Sequence, residues 1–299
     1  MARTTEAEQP FLARIEEQHR HALACGALLP IETEAFLVTD GGVDFIVRIL
    51  GSLPRKAAAR TEQTARTVQN GRLSNPFLPF DPDLYIGDAG PSHLCLLNKF
   101  NVVNRHVLVV TRRYENQEQL LGAADFRAVW QCLDSLNWLA FYNGGRAAGA
   151  SQAHKHLQIV PPSIGFRNAP IPIESALPTA NKPFGIALDN DLPFRNVLVR
   201  LNPLAHGVDA AMAALHAYLD GLEKLGCRRA GNSRQSAPYS LLMTRRWLFL
   251  APRTEECYES VSVNALGFAG SLLVRSAKQL ERVRSGGPMS ILVHVGKPR

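Results

Sequence analysis

The chain has no apolar run longer than a handful of residues, which excludes a membrane-spanning helix of about 20 residues. Cysteine is sparse: Cys25, Cys95, Cys132, Cys227 and Cys257 are odd in number, widely spread and never in CxxC spacing. That argues against a disulfide framework or a zinc ribbon and suits idle thiols in a reducing cytosol. The N-terminal stretch lacks an apolar h-region and carries early acids, so neither a secretory leader nor a transit peptide is expected. Lysine is scarce as well. It supplies 7 of the 33 basic residues, and Arg the other 26. The net charge of +7 is scattered, with no dense basic run to coat a nucleic acid. It suits a modest positive field for small polyanions such as nucleotides. Aromatics are only 7% of the chain, which gives little for stacking bases along a strand.

What is present is ordinary globular material. Apolar residues make up 46% and charged residues 20% of 299, enough to bury a core without staples. Helical spacing predicts amphipathic helices over 6–28, 123–140, 209–225 and near 264–283. Alternation predicts strands over 33–39, 43–50, 93–97, 105–111 and 196–201, a hairpin of 239–243 with 247–251, and a last strand over 290–295. Prolines deny regular structure around Asn75 to Pro82 and across 161–203, the natural place for a domain boundary. No internal repeat is visible. Strands and helices mix without βαβ alternation, which predicts an α+β fold.

One segment outweighs the rest in chemistry: Gly149-Ala150-Ser151-Gln152-Ala153-His154-Lys155-His156-Leu157-Gln158, preceded by Asn143-Gly144-Gly145. On a strand, His154, His156 and Gln158 share one face, and Lys155 and Leu157 the other. Three readings compete. Two histidines can sit satisfied on a solvent-facing strand. HxH can be half of a zinc site, although no third ligand is close in sequence. Or a neutral imidazole attacks phosphorus and carries the group as a phosphoramidate, while the glycine-bearing turn cradles the phosphate with backbone N–H groups.

The wider pattern narrows the choice. HKHLQ resembles the active-site strand of the histidine triad superfamily in its HxHxQ form. NPFLPFDPDLYI (Asn75 to Ile86), LLNKFNVVNRHVLVVT (Leu96 to Thr111), YNGGRAAGASQAHKHLQ (Tyr142 to Gln158), YSLLMTRRWLFLAPR (Tyr239 to Arg253) and SVNALGFAGSLLV (Ser262 to Val274) together resemble the ATP adenylyltransferases, the diadenosine tetraphosphate phosphorylases. The resemblance covers about 45 to 298. Ala153 departs from it, standing where relatives often have Pro or an aromatic.

The resemblance implies an α+β, HIT-like, galactose-1-phosphate-uridylyltransferase-like antiparallel sheet with packed helices. It implies a catalytic domain over 1–185 and a C-terminal domain over 186–299 that completes the nucleotide site. His156 would be the nucleophile that takes AMP, His154 its hydrogen-bonding support, and Gln158 a binder of the transferred phosphate. Lys56, Asn98, Lys99, Asn143, Gly149, Ala150, Ser151 and Gln152 would bind substrate. The substrates implied are diadenosine polyphosphates, ATP, ADP and phosphate, with adenylylsulfate as a further AMP donor. A divalent cation, Mg²⁺, would accompany the polyphosphate with no tightly held cofactor and no protein ligand. Neither nucleic acid nor membrane is an expected partner, and the expected location is the cytoplasm. Uridylyl transfer between hexose phosphates is the rival on the same motif. A non-enzymatic nucleotide or RNA binder is the second rival, and it predicts steep salt dependence.

Overall fold

The computed structural model describes residues 11–51, 75–134, 136–162, 164, 171–178, 183–229 and 231–299. The first helix, α1 (Phe11–Ala24), buries Phe11, Ile15 and Ala22 along one stripe. Two antiparallel strands follow, β1 (Thr33–Asp40) and β2 (Val43–Leu50), turned by Gly41 and Gly42, both at positive φ. Then come β3 (Tyr85–Asp88), β4 (His93–Leu97) and β5 (Val107–Thr111). Helix α2 (Ala123–Leu133) is anchored by Asp125, whose carboxylate accepts the Gly122 N–H at 2.7 Å. It is shorter than its leucine spacing predicts. Leu136 and Leu139 continue the three-residue rhythm, yet Leu139 already opens β6 (Leu139–Gly144).

Strand β7 (His156–Val160) carries the HxHxQ motif. The proline-rich stretch beyond it shows, where described, a 3₁₀ turn at Pro172–Ala176 and the two-residue β8 (Ala187–Leu188). Strand β9 (Val197–Arg200) and helix α3 (Gly207–Lys224) come next, then the expected hairpin of β10 (Tyr239–Met243) and β11 (Trp247–Pro252). The chain continues through β12 (Cys257–Tyr258) and β13 (Val261–Ser262) to a single turn of helix, α4 (Ala265–Phe268).

Two expectations fail near the C-terminus. The helix expected near 264–283 is broken into α4, β14 (Ser271–Val274) and α5 (Ala277–Gly286). Gly270 at φ +95° ends the first piece, and the Ser276 hydroxyl caps the last by accepting from the Gln279 N–H. The last strand expected over 290–295 is helix α6 (Pro288–Val295), with Pro288 at its first position. A short apolar run suits either state, and tertiary packing decides.

Nine strands form one antiparallel sheet in the order β3-β4-β5-β7-β6-β10-β11-β9-β8. Strands from both sides of residue 185 contribute to it, joined at the β6–β10 pairing from Ala140↔Met243 to Gly144↔Tyr239. A second sheet, β1-β2-β14, contains a parallel pair between β14 and β2. On one face of the large sheet, α1, α2 and α3 cover Val107, Val109, Tyr142, Leu157, Ile159 and Leu250. The other face carries two apolar clusters. Leu139, Phe141, Leu242 and Phe249 pack with the small sheet and the C-terminal helices. Phe77, Leu94, Leu96, Leu108 and Val110 form a smaller patch. The polar side chains of β7 lie between them, because His156 and Gln158 sit opposite Val110 and Leu108.

Candidate active site

Alternation along β7 does what the sequence predicts. Lys155 turns to the helix-covered face, where its Nζ lies 2.6 Å from Glu115 and 3.4 Å from Asp125. His154 and His156 turn the other way, and the Phe77 ring packs against both, with centroids 5.7 and 5.0 Å away. His154 precedes the strand and makes only an isolated bridge to Asn116.

The hydrogen bonds define the protonation state of each imidazole. His156 Nδ1 lies 2.8 Å from the His154 carbonyl oxygen, which can only accept. Nδ1 therefore carries the proton, and Nε2 keeps its lone pair. Among the described residues nothing bonds that Nε2. Burial lowers the His156 pKa to about 4. The His154 backbone hydrogen bond opposes that shift, and the nearby His154 ring adds to it. The ring is thus neutral at physiological pH, as a nucleophile must be.

The His154 side chain acts elsewhere. Its Nε2 donates to the Thr111 carbonyl at 2.9 Å. Asn75 Oδ1 is held by the Phe77 N–H, so Asn75 Nδ2 faces His154 Nδ1 at 3.0 Å and donates to it. Burial lowers this imidazole's pKa as well. Both nitrogens of His154 thus have protein partners, an arrangement unlike a metal half-site. Support for His156 comes from the backbone carbonyl of His154. Among the described residues, the one trio with converging metal-ligating atoms is His21, Cys25 and Asp83, where the exposed end of α1 meets the half-buried Asp83 of the 3₁₀ turn Pro82–Leu84.

The strand pair that carries the site splays open. β6 and β7 pair from Leu139↔Val160 to Phe141↔Gln158 and no further. Gln117 fills the gap. Its Oε1 accepts the His156 N–H at 2.9 Å, and its Nε2 donates to Asn143 O at 3.0 Å and His156 O at 3.3 Å. Its own N–H donates to Ala153 O at 2.8 Å, and its carbonyl accepts from the Tyr142 hydroxyl. One fully satisfied amide thereby replaces the missing ladder bonds beside the nucleophile.

Beyond the splay runs the loop 143–152. The Asn143 Oδ1 accepts the Ala265 N–H at 2.8 Å, tying the loop to the first turn of α4. Gly149, at φ +89°, lies so close to that turn that a Cβ would meet Asn264 Cα at 2.8 Å. Ala150 N–H donates to Gly145 O at 3.2 Å. Ser151 is exposed and Gln152 half-buried. Among the described residues their peptide N–H groups have no acceptor, so they are open to an anion. From behind, the buried Arg253 fastens the loop. Its guanidinium donates to Ala148 O, Val263 O, Glu255 O, Val295 O and Ser240 Oγ, all within 2.8–3.1 Å. Burial lowers its pKa to about 10.

The remaining expected residues divide. Asn98 lies beside the motif through His106, whose Nδ1 is 3.2 Å from Asn98 Nδ2 and whose Nε2 is 2.9 Å from Gln158 Oε1. Lys99 is half-buried, with its Nζ 3.9 Å from Asp81. Lys56 lies outside the described residues. Sequence reasoning missed Asn75, His106, Thr111, Gln117 and Arg253 as parts of the site. Asn75 opens a proline-rich stretch read only as lacking regular structure and as part of the family pattern, and Arg253 closes a family-like segment with no role of its own assigned. Gln117 sits in a loop with no local signal.

A neutral imidazole with a free Nε2, an amide on the same face and an anion-ready glycine loop define a group-transfer enzyme for phosphate-bearing substrates. The Ap4A phosphorylase N-terminal domain family matches residues 1–179, and the ATP adenylyltransferase C-terminal domain family matches 190–298. The chain belongs to the Ap4A phosphorylase family of nucleotidyltransferases.

Relatives from Saccharomyces cerevisiae agree. Diadenosine 5',5'''-P1,P4-tetraphosphate phosphorylase 2 is 27% identical over 251 residues, covering 73% of this chain and 74% of that protein. Protein APA1 is 25% identical over 232 residues, covering 71% of each. The crystal structure of yeast Ap4A phosphorylase Apa2 superposes with a TM-score of 0.77 at 22% identity, covering 97% of this chain and 98% of that one. Its complex with Ap4A gives 0.75 at 23% identity. The shared fold is the α+β architecture with a large antiparallel sheet and packed helices expected from the sequence.

Proposed function

We propose that this chain phosphorolyses diadenosine tetraphosphate to ADP and ATP through AMP carried on His156. The observation that carries the reading is the His156 Nε2 lone pair, held free by the Nδ1–H bond to the His154 carbonyl. Family membership and the relatives named for this activity support it.

The Nε2 lone pair attacks the α-phosphorus of one adenylate, and the bond from that phosphorus to its bridging oxygen breaks. ATP leaves with the electron pair. The imidazole becomes positively charged, and the His154 carbonyl, already bonded to Nδ1–H, stabilises that charge. The open N–H groups of Ser151 and Gln152 and the Gln158 amide meet the oxygens on phosphorus. An oxygen of inorganic phosphate then attacks the same phosphorus, the P–N bond breaks and ADP forms. His156 returns to its neutral form. The reverse reaction uses the same adduct, and adenylylsulfate can load it with sulfate as leaving group.

No carboxylate among the described residues bonds His154, His156 or Gln158. A divalent cation carried on the polyphosphate, with no dedicated side-chain cage, is part of this reading. Such a cation, Mg²⁺ in this reading, would screen phosphate charge. Asn98, Lys99 and Lys56 are proposed nucleotide or phosphate contacts, and Asn143 shapes the cradle through its bond to α4. Free thiols throughout suit a cytoplasmic setting.

Product analysis with and without inorganic phosphate tests the proposal. ADP plus ATP that form only with phosphate support it. Turnover of UDP-glucose without turnover of diadenosine tetraphosphate would transfer the assignment to uridylyl chemistry.

A further inference from the structure

His106 has no part in the bond-making just described, yet it is buried and touches both Asn98 and Gln158. The polarity of that contact chain is fixed at one end by a group that cannot flip. The Phe100 backbone N–H donates to Asn98 Oδ1 at 3.2 Å. The other end of the Asn98 amide, the NH₂, therefore faces His106 Nδ1 and donates to it. A ring whose Nδ1 accepts carries its proton on Nε2. That Nε2–H donates to Gln158 Oε1 at 2.9 Å. With its carbonyl end held, Gln158 has only its NH₂ left to offer, and among the described residues that NH₂ has no partner.

Resting on the phosphorolysis reading above, we propose that His106 is a positioning residue that sets the direction of the Gln158 amide, so that Gln158 meets the transferred phosphate as a donor. An amide free to flip can present its carbonyl oxygen to an anionic oxygen, which repels rather than holds it. The Asn98 side chain takes part in the same relay by holding His106 Nδ1. The ring is neutral in this role: burial lowers its pKa to about 4, with the Gln158 bond opposing and the His156 ring assisting.

Two variants separate direction from packing. His106→Leu fills the space and cannot donate, whereas His106→Gln offers an NH₂ to Gln158. His106→Leu should lower kcat by roughly 10- to 100-fold with KM for diadenosine tetraphosphate little changed, as for loss of a group that orients a reacting contact. His106→Gln should recover most of the loss. Equal activity in the two variants, whether both high or both low, overturns the proposal. Nitrogen-15 NMR of the wild-type protein gives an independent readout: the His106 proton should be on Nε2, and a proton on Nδ1 overturns it even if the variants do not fold. The phosphorolysis reading is checked separately by trapping the wild-type AMP adduct at alkaline pH. Wild type that makes the adduct while His106→Leu matches it in kcat defeats this inference alone.

Discussion

His156 has one ring nitrogen bonded and one free, whereas both ring nitrogens of His154 are bonded, and that difference sets what their loss should do. His156→Ala removes the atom that bonds phosphorus, so turnover and covalent labelling should both vanish while nucleotide binding persists. The adduct is an acid-labile phosphoramidate, so labelling must be read at neutral or alkaline pH. Label that maps to His154 would reverse the roles. His154→Ala leaves the backbone carbonyl that holds His156 Nδ1 in place. It removes the bonds to Asn75 and Thr111 and the ring contacts with Phe77 and Tyr114, so activity should fall but remain measurable. The acid limb of the rate profile carries the same signature. With the His156 pKa lowered to about 4, the nucleophile stays unprotonated well below the usual histidine range. The rate of adduct formation should therefore hold from pH 7 to pH 5 and fall only on approach to about 4. A midpoint near 6.5 would show that the ring is not buried as described. The sequence revealed these residue types and their shared face through a period of two. It could not show which nitrogen was free, because that depends on a main-chain contact.

At the scale of elements, the site exists because two neighbouring strands part and a side chain from elsewhere holds them apart. Gln117→Ala would leave the His156 N–H, the His156 carbonyl and the Asn143 carbonyl without their bridge. Unmade buried hydrogen bonds cost about 1–3 kcal/mol each before relaxation or water entry. A stability loss of about 2 kcal/mol or more should appear in urea unfolding, with a larger proportional loss in adduct formation than in nucleotide affinity. Unchanged stability would mean that water replaces the amide without cost. The long-range character of this contact explains why it was illegible: Gln117 and His156 are 39 residues apart. Most strands, by contrast, were readable from alternation and turn signals. The failures were runs with two meanings. Leu136 and Leu139 extended a helical rhythm into a strand, and residues 290–295 read as a strand until Pro288 and the neighbouring packing are considered.

Across the whole molecule, two buried histidines make folding depend on pH. His106 and His156 each have folded pKa values lowered to about 4 from an ordinary 6.5. The unfolded chain therefore binds more protons between those values, and stability rises with pH through that window. The stabilising difference is fully present above about 6.5 and is lost progressively as pH falls toward about 4. Urea midpoints taken from pH 4 to 7 should climb and then flatten. Replacing both histidines by glutamine should reduce the slope, and an unchanged slope would place the titrating groups elsewhere. The fold class was legible in the mixture of elements. The continuity of one sheet was not, since strand order is set by pairings between distant segments.

That continuity has a manufacturing consequence. Cutting the chain between residues 185 and 186 would strip β6 of β10 and expose one flank of backbone N–H and C=O groups over 139–144. An orphaned edge of this kind recruits whatever strand it meets. Residues 1–185 made alone should therefore clump, and so should 186–299, which bares the opposite flank. Made together in one cell, the two pieces should find each other and zip along the line from Ala140↔Met243 to Gly144↔Tyr239. Recovery of phosphorolysis from the paired fragments, and of none from either alone, would make this seam a ready-made split reporter. Two well-behaved, separately folded monomers would show that the line is weaker than its pairing suggests.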